Sequence, residues 1–116
     1  MRAFLGALLS LAATSAFADD PMASLYANTV VITTAKGEMG RTLTNADHTF
    51  TSYQPDGRVL KGTWKIVNSQ VCSTVTDPAI KPTPHVCRPL VARKIGDTWT
   101  MTQGIASWTA TLKAGR

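Results

Sequence analysis

Apolar and polar residues alternate in short runs along most of this chain. Within Val59–Val67, apolar residues or glycine take every second position, with lysine or threonine mostly between them. The run Ala106–Lys113 repeats this pattern, with Trp108 and Leu112 on the apolar side. A period of two is typical of a β-strand that has one buried and one solvated face.

Further runs fit the same scheme at residues 29–34, 41–45, 48–53, 71–76, 86–93 and 98–102. Short turn sequences separate them, of which Gln54-Pro55-Asp56-Gly57 is the strongest. Because short connections make neighbouring strands antiparallel, we predict an all-β fold. It is a small antiparallel meander, a closed or nearly closed barrel of about eight short strands. A short helical turn at residues 19–26 precedes the first strand and can plug one end with Leu25 and Tyr26.

The first 18 residues are typical of a cleavable secretory signal peptide. Met1-Arg2 is a short basic start, an uncharged and mostly apolar stretch follows, and Ala-Phe-Ala ends at Ala18. The apolar stretch is shorter than the roughly 20 residues that span a bilayer. We therefore expect cleavage after Ala18 and a single domain at residues 19–116, in the periplasm or secreted, with no membrane span after cleavage.

The mature chain keeps 7 acidic residues and loses only Arg2 among its basic ones, so its net charge is +4. Its basic residues are scattered, with Arg93-Lys94 the only adjacent pair. Lys61 and Lys65 alternate with Trp64 and fall on the opposite face, whereas nucleic-acid binding favours aromatic and basic residues on one face. We expect no nucleic-acid partner.

Cys72 and Cys87 lie 15 positions apart. An even pair of cysteines in an exported chain indicates a disulfide bond. A loop of this size contributes about 3 kcal/mol in the chain-entropy account. The residues between the cysteines include Pro78, Lys81, Pro82 and Pro84, and so many prolines exclude a central strand. We expect a stiff excursion that the disulfide ties at its stems; display of this loop to a partner protein is the alternative.

Three tryptophans, Trp64, Trp99 and Trp108, each have an apolar residue two positions away on the same strand face. Such rings can fill the interior of a small barrel as core, which we expect. Alternatively, they line a cavity for a small ligand.

Catalytic and metal-binding motifs are not recognisable in the sequence. The acidic residues of the folded part lie at turns or loops, where backbone preferences alone explain them. His48 and His85 have no nucleophile motif nearby, and with two cysteines they make a poor zinc site. We expect no catalytic residues, no cofactor and no metal.

Several short motifs follow one another in a fixed order: Asp56-Gly57, Gly62-Thr63-Trp64, Cys72, Cys87 and Gly96-Asp97, with Leu112 and Gly115 near the end. This order resembles a loose group of short exported bacterial proteins of unassigned function. The Gly-x-Trp motif is similar to the signature of lipocalin-like and avidin-like calycin barrels, although here it lies in mid-chain rather than at the first strand. The second resemblance implies a barrel architecture by analogy only.

These observations predict an exported, non-catalytic binding protein for a small apolar ligand or a component of the cell envelope. The alternative is a protein-binding module, such as an inhibitor of an envelope-directed enzyme. A small hydrolase is a third hypothesis, which would need a carboxylate pair or a histidine-centred cluster in a cleft.

Overall fold

The computed structural model describes residues 20–116, so the predicted signal peptide lies outside the described residues. Within these residues the fold consists of eight β-strands and one 3-10 turn at Ala23–Leu25. No helix within residues 20–116 is long and apolar enough to cross a membrane. The strands are β1 (Thr29–Thr34), β2 (Met39–Thr44), β3 (Thr49–Tyr53), β4 (Val59–Val67), β5 (Gln70–Asp77), β6 (His85–Pro89), β7 (Thr98–Gln103) and β8 (Ala106–Lys113).

All eight strands form one antiparallel sheet in the order β6-β5-β4-β3-β2-β1-β8-β7. Because β1 pairs with both β2 and β8, the last hairpin returns to the first strand, as in an up-and-down barrel. The ladder is interrupted only between β6 and β7, which are its two edges. Across this seam, Arg88 Nη1 donates a hydrogen bond to the Thr102 carbonyl oxygen at 3.1 Å. The all-β prediction is confirmed, and the barrel is open along one seam.

The predicted strand at residues 86–93 was too long at its end. Strand β6 ends at Pro89, which has no backbone N–H to continue a ladder. The next amide, that of Leu90, donates instead to the Ser69 carbonyl in the β4–β5 turn at 2.9 Å. The chain therefore leaves the sheet at residue 90 and crosses to β7.

The best-packed part of the interior lies on the inner faces of β1 and β8. Val30, Ala110 and Leu112 are buried there, and Leu25 packs against them from the 3-10 turn. The alternation on β8 therefore correctly predicted that Ala110 and Leu112 face the interior. Ile66, on the predicted inner face of β4, is nevertheless 45% exposed near the end of that strand.

The predicted N-terminal helical turn is present as the short 3-10 turn. The Asp20 carboxylate accepts hydrogen bonds from the Met22 amide at 2.9 Å and from the Tyr26 hydroxyl at 3.2 Å. Burial raises the pKa of Tyr26 above its ordinary value, and the neighbouring Asp20 charge and hydrogen bond raise it further. The turn thus sets Leu25 and Tyr26 against the barrel interior, as predicted.

The disulfide between Cys72 and Cys87 is present and joins directly opposed positions of β5 and β6. It ties together the stems of the proline-rich excursion, as predicted. Edge strand β6 has a partner on only one side, so a covalent link to β5 holds it where the ladder alone holds it least.

A bulge in β5, at Thr76, lies opposite the step from Lys61 to Gly62 in β4. Lys61 pairs with Asp77 but Gly62 pairs with Val75, so one residue of β5 is skipped. A Cβ at Gly62 would collide with the Thr74 carbonyl oxygen and lie 2.8 Å from Phe50 Cε2. Only glycine allows both groups to approach here. Bulges of this kind bend and twist a strand, which helps to close a sheet into a barrel.

We predict that Gly62→Ala lowers the free energy of unfolding by about 1–3 kcal/mol, because the added methyl group overpacks this crossing. Urea denaturation followed by circular dichroism measures the change. Thr63→Ala, on the exposed side of the same strand, is the matched control and should change the free energy by about 0.5 kcal/mol or less. Equal effects of the two substitutions would contradict this role of Gly62.

Candidate functional groove

The concave face of the open barrel encloses a groove of about 790 Å³. Such a volume lies within the range of small-molecule sites, about 300–1,000 Å³. Threonine, serine and glutamine side chains add polar positions to its wall. The apolar side chains that line it come from several elements and include Leu25, Phe50, Leu60, Val75, Val86, Leu90 and Met101.

All three predicted tryptophans line this groove, but they differ in exposure. Trp64 is only 4% exposed, and its indole Nε1 donates to the Asn45 carbonyl oxygen at 3.1 Å. The His48 ring stacks on it with ring centres 4.0 Å apart, and the Tyr26 ring lies 6.3 Å away. Trp64 is therefore mainly a core residue beneath the groove, as the first of the two interpretations expected.

Trp99 and Trp108 are half-buried and reach the groove from the β7–β8 hairpin. Each carries an arginine on its ring: the Arg93 guanidinium carbon lies 4.0 Å from the centre of Trp99, and that of Arg88 lies 5.7 Å from the centre of Trp108. These contacts are within the range of cation–π interactions. The accessible aromatic surface of the groove is thus bordered by two cations.

Sequence reasoning did not identify Arg88 and Arg93 as groove residues. For Arg88 a signal existed, because it alternates with Val86 on β6 and shares its inward face. For Arg93 none existed, because it lies in the irregular connection between β6 and β7. Burial lowers the pKa of the Arg88 guanidinium below its ordinary value, which marks a partly desolvated cation.

A smaller cavity of about 330 Å³ opens beside the groove. Five residues line both spaces: Thr42, Ser52, Gln54, Met101 and Trp108. Thr42 and Ser52 hydrogen-bond to each other across β2 and β3 at 3.1 Å. This hydroxyl pair forms a polar wall that the two cavities share.

Three of the acidic residues that a hydrolase could use, Asp47, Asp56 and Asp97, are engaged in their own turns. Hydrogen bonds from Thr49 lower the pKa of Asp47 below its ordinary value. Hydrogen bonds from Arg58, first from its backbone amide, do the same for Asp56, which also pairs with the Arg58 guanidinium at 2.8 Å. The Asp97 carboxylate accepts the Lys94 amide at 2.9 Å. These contacts shape turns; that the protein is not an enzyme stays a prediction.

The histidines lie in different places. His48 Nδ1 donates to the Trp64 carbonyl oxygen at 3.1 Å, a contact that supports the core. His85 lies beside the disulfide, with Nε2 3.6 Å from Cys87 Sγ and Nδ1 2.9 Å from the Thr74 hydroxyl. Cys72, His85 and Cys87 form the one group of three metal-ligand side chains within residues 20–116. Their two sulfur atoms are bonded to each other, which removes both thiolates as ligands.

The proline-rich excursion lies largely outside the groove. Pro78, Lys81 and Pro82 are exposed, whereas Pro84 is half-buried and contributes to the groove wall. The structure therefore separates the two sets of residues that the sequence singled out, the tryptophans within the groove and most of the loop outside it.

No protein-family model matches this chain, and no curated protein and no solved structure is significantly similar to it. The resemblance to short exported bacterial proteins and the calycin analogy therefore stay expectations from the sequence.

We predict that acrylamide quenches Trp99 and Trp108 more efficiently than Trp64, because Trp64 is buried beneath the groove. The variant Trp64→Phe retains the two groove indoles, and the double variant Trp99→Phe/Trp108→Phe retains only Trp64. Comparing Stern–Volmer slopes of the two proteins tests the assignment. Equal slopes in folded samples would show that the groove indoles are as inaccessible as the core indole.

Proposed function

We propose that the protein is an exported, non-catalytic binding protein that takes up a small apolar ligand in the concave groove. The observation that carries this proposal is the open space of about 790 Å³ among mainly apolar side chains. A small barrel whose function is purely structural is expected to fill its interior with its own side chains. Here the cluster of buried side chains within residues 20–116 lies on β1 and β8, and Trp64 is buried separately on β4.

The shape of the groove supports uptake of a ligand from solution. Because β6 and β7 do not pair along the seam, a molecule can enter there without unfolding a strand pair. Leu60 of β4 and Val86 of β6 both line the groove and offer apolar contact to its body. Burial of such surface contributes about 25 cal/mol per Å², which favours an apolar rather than a strongly polar occupant.

An extracytoplasmic location supports the same proposal. The Cys72–Cys87 disulfide is the kind of bond that persists in oxidising compartments and is rare in the cytosol. Together with the signal-peptide pattern of residues 1–18, it favours the periplasm or the exterior as the place of action. Ligands there include lipids and other apolar envelope components.

Filling the groove tests the proposal. Ser73→Phe adds a ring on the concave face of β5, opposite Trp64, and should lower the affinity for the neutral apolar dye N-phenyl-1-naphthylamine by about tenfold or more. Thr63→Phe adds the same ring on the exposed face of β4 and is the control. Fluorescence titration measures both. If the wild-type protein does not bind the dye, or if both variants bind it equally to the wild type, the groove is not the site.

A second function, a protein-binding module, is favoured by the exposure of the proline-rich loop. Pro78, Lys81 and Pro82 protrude between β5 and edge strand β6, and the disulfide holds the stems of this loop. A loop with restricted backbone freedom loses little entropy on binding. An inhibitor of an envelope-directed enzyme would present such a loop.

Replacing residues 78–83 with a Gly-Ser linker, which keeps Pro84 in the groove wall, should abolish capture of the partner from an envelope extract while leaving dye binding in the groove intact. Affinity capture followed by mass spectrometry reads out the partner. Unchanged capture by the loop variant would remove this second function from consideration.

A further inference from the structure

We propose that the ligand of the groove is an amphiphile with one apolar chain and an anionic headgroup, which Arg88 and Arg93 bind at the seam. The inference rests on the proposed function and specifies its ligand class. It is carried by the position of two arginines on the rim of an otherwise uncharged groove.

The charge of the groove has one sign. Among the described residues that line it, Arg88 and Arg93 are the only charged side chains, and no aspartate or glutamate takes part. A concave surface of low polarity that carries only positive charges focuses its electrostatic field and attracts a ligand of opposite charge. An anionic headgroup is favoured here, and a cationic one is repelled.

Neither arginine is neutralised within the part of the chain that the structure describes. The ion pair found within residues 20–116 joins Arg58 to Asp56, and no carboxylate lies within 4.0 Å of Arg88 or Arg93. Arg88 donates one hydrogen bond to the Thr102 carbonyl oxygen and is partly desolvated by its surroundings. Carboxylate and phosphate oxygens match the fork of a guanidinium group, so an anionic headgroup would supply the missing charge.

Both arginines are held over aromatic rings instead of extending into solvent. Arg93 covers Trp99 at 4.0 Å, and Arg88 lies over Trp108 at 5.7 Å. Stacking restricts a guanidinium group before a ligand arrives, which lowers the entropy lost on binding. The same indoles offer apolar surface below the cations. One ligand can thus place its headgroup on the arginines and its chain on the rings.

Arg88 also has an alternative role as a strut that bridges the seam through Thr102. The two roles differ in what they do to ligand selectivity. A strut affects the affinity for every ligand by the same factor. An arginine that binds the headgroup raises the affinity for anionic ligands relative to cationic ligands of the same chain length. Its loss therefore changes the ratio of the two affinities. The ratio is therefore the quantity to measure.

The experiment compares dodecanoate, dodecyl phosphate and dodecyltrimethylammonium below their critical micelle concentrations, by displacement of N-phenyl-1-naphthylamine from the purified protein. We expect at least one anionic probe to bind about tenfold or more tightly than the cationic probe, and this preference to weaken as the salt concentration rises. A preference for the carboxylate or for the phosphate identifies the headgroup, and either supports the inference.

The variants Arg88→Gln and Arg93→Gln should each lower the anion-to-cation ratio, and the double variant should bring it near one. Arg88→Lys keeps the charge but loses the fork, so its ratio should fall between those of the wild type and Arg88→Gln. Arg41→Gln is the matched control: Arg41 also covers an aromatic ring, Tyr53, at 3.9 Å, but it does not line the groove. The ratio of this variant should equal that of the wild type.

Equal binding of the three probes to the wild type would overturn the inference. A uniform loss of affinity in Arg88→Gln and Arg93→Gln, with an unchanged ratio, would also overturn it and assign the arginines a structural role. In both cases dye binding in the groove would leave the proposed function standing. If neither the dye nor any probe binds, the proposed function fails together with the inference.

Discussion

The close approach of three strands at Gly62 is the constraint on which the rest of this structure depends. At this position β4 has no side chain, so the Phe50 ring of β3 and the Thr74 carbonyl of β5 can come near its backbone. The adjacent bulge shifts the register between β4 and β5 by one residue. A sheet bent in this way carries β5 and β6 around toward β7, and the groove lies within the curve.

The sheet does not curve far enough to close, so β6 and β7 remain unpaired along an open seam. A closed barrel of eight strands has an interior about wide enough to be filled by its own side chains. Here a contact between Arg88 and Thr102 crosses the seam where a ladder would otherwise run. Edge strands are exposed to unwanted pairing, and β6 counters this through Pro89 at its end and the disulfide to β5. The proline-rich loop and the disulfide thus support an edge that the proposed function needs open.

Alternation of apolar and polar residues, together with β-branched content and turn residues, was sufficient to predict the strands. The period of two was clearest in β4, β7 and β8, where it placed Trp64, Trp108 and Leu112 on the inner face. Weaker runs, such as the β-branched residues 29–34, located the other strands. Turn residues such as Asp56-Gly57 supplied the antiparallel order. The predicted end of the sixth strand was wrong because Val91 continues an apolar pattern that Pro89 has already interrupted. The alternation pattern of a strand does not show at which residue its backbone hydrogen bonds to the neighbouring strand end.

The site was less accessible to sequence reasoning than the fold. Whether the tryptophans fill or line an interior depends on barrel closure, which is set by contacts between residues far apart in the chain, such as β1 with β8. Arg93 lies in a segment without periodicity, so its contact with Trp99 follows only from the path of the chain. His85 and Cys87, by contrast, are two positions apart on one strand, and alternation places them on one face.

The central claim, that the groove holds an apolar ligand, is tested most directly by native mass spectrometry of the protein purified from its own cell envelope. We predict a small-molecule adduct that survives gentle desolvation and is lost on denaturation. A spectrum of the bare chain alone, from folded protein, would contradict the claim.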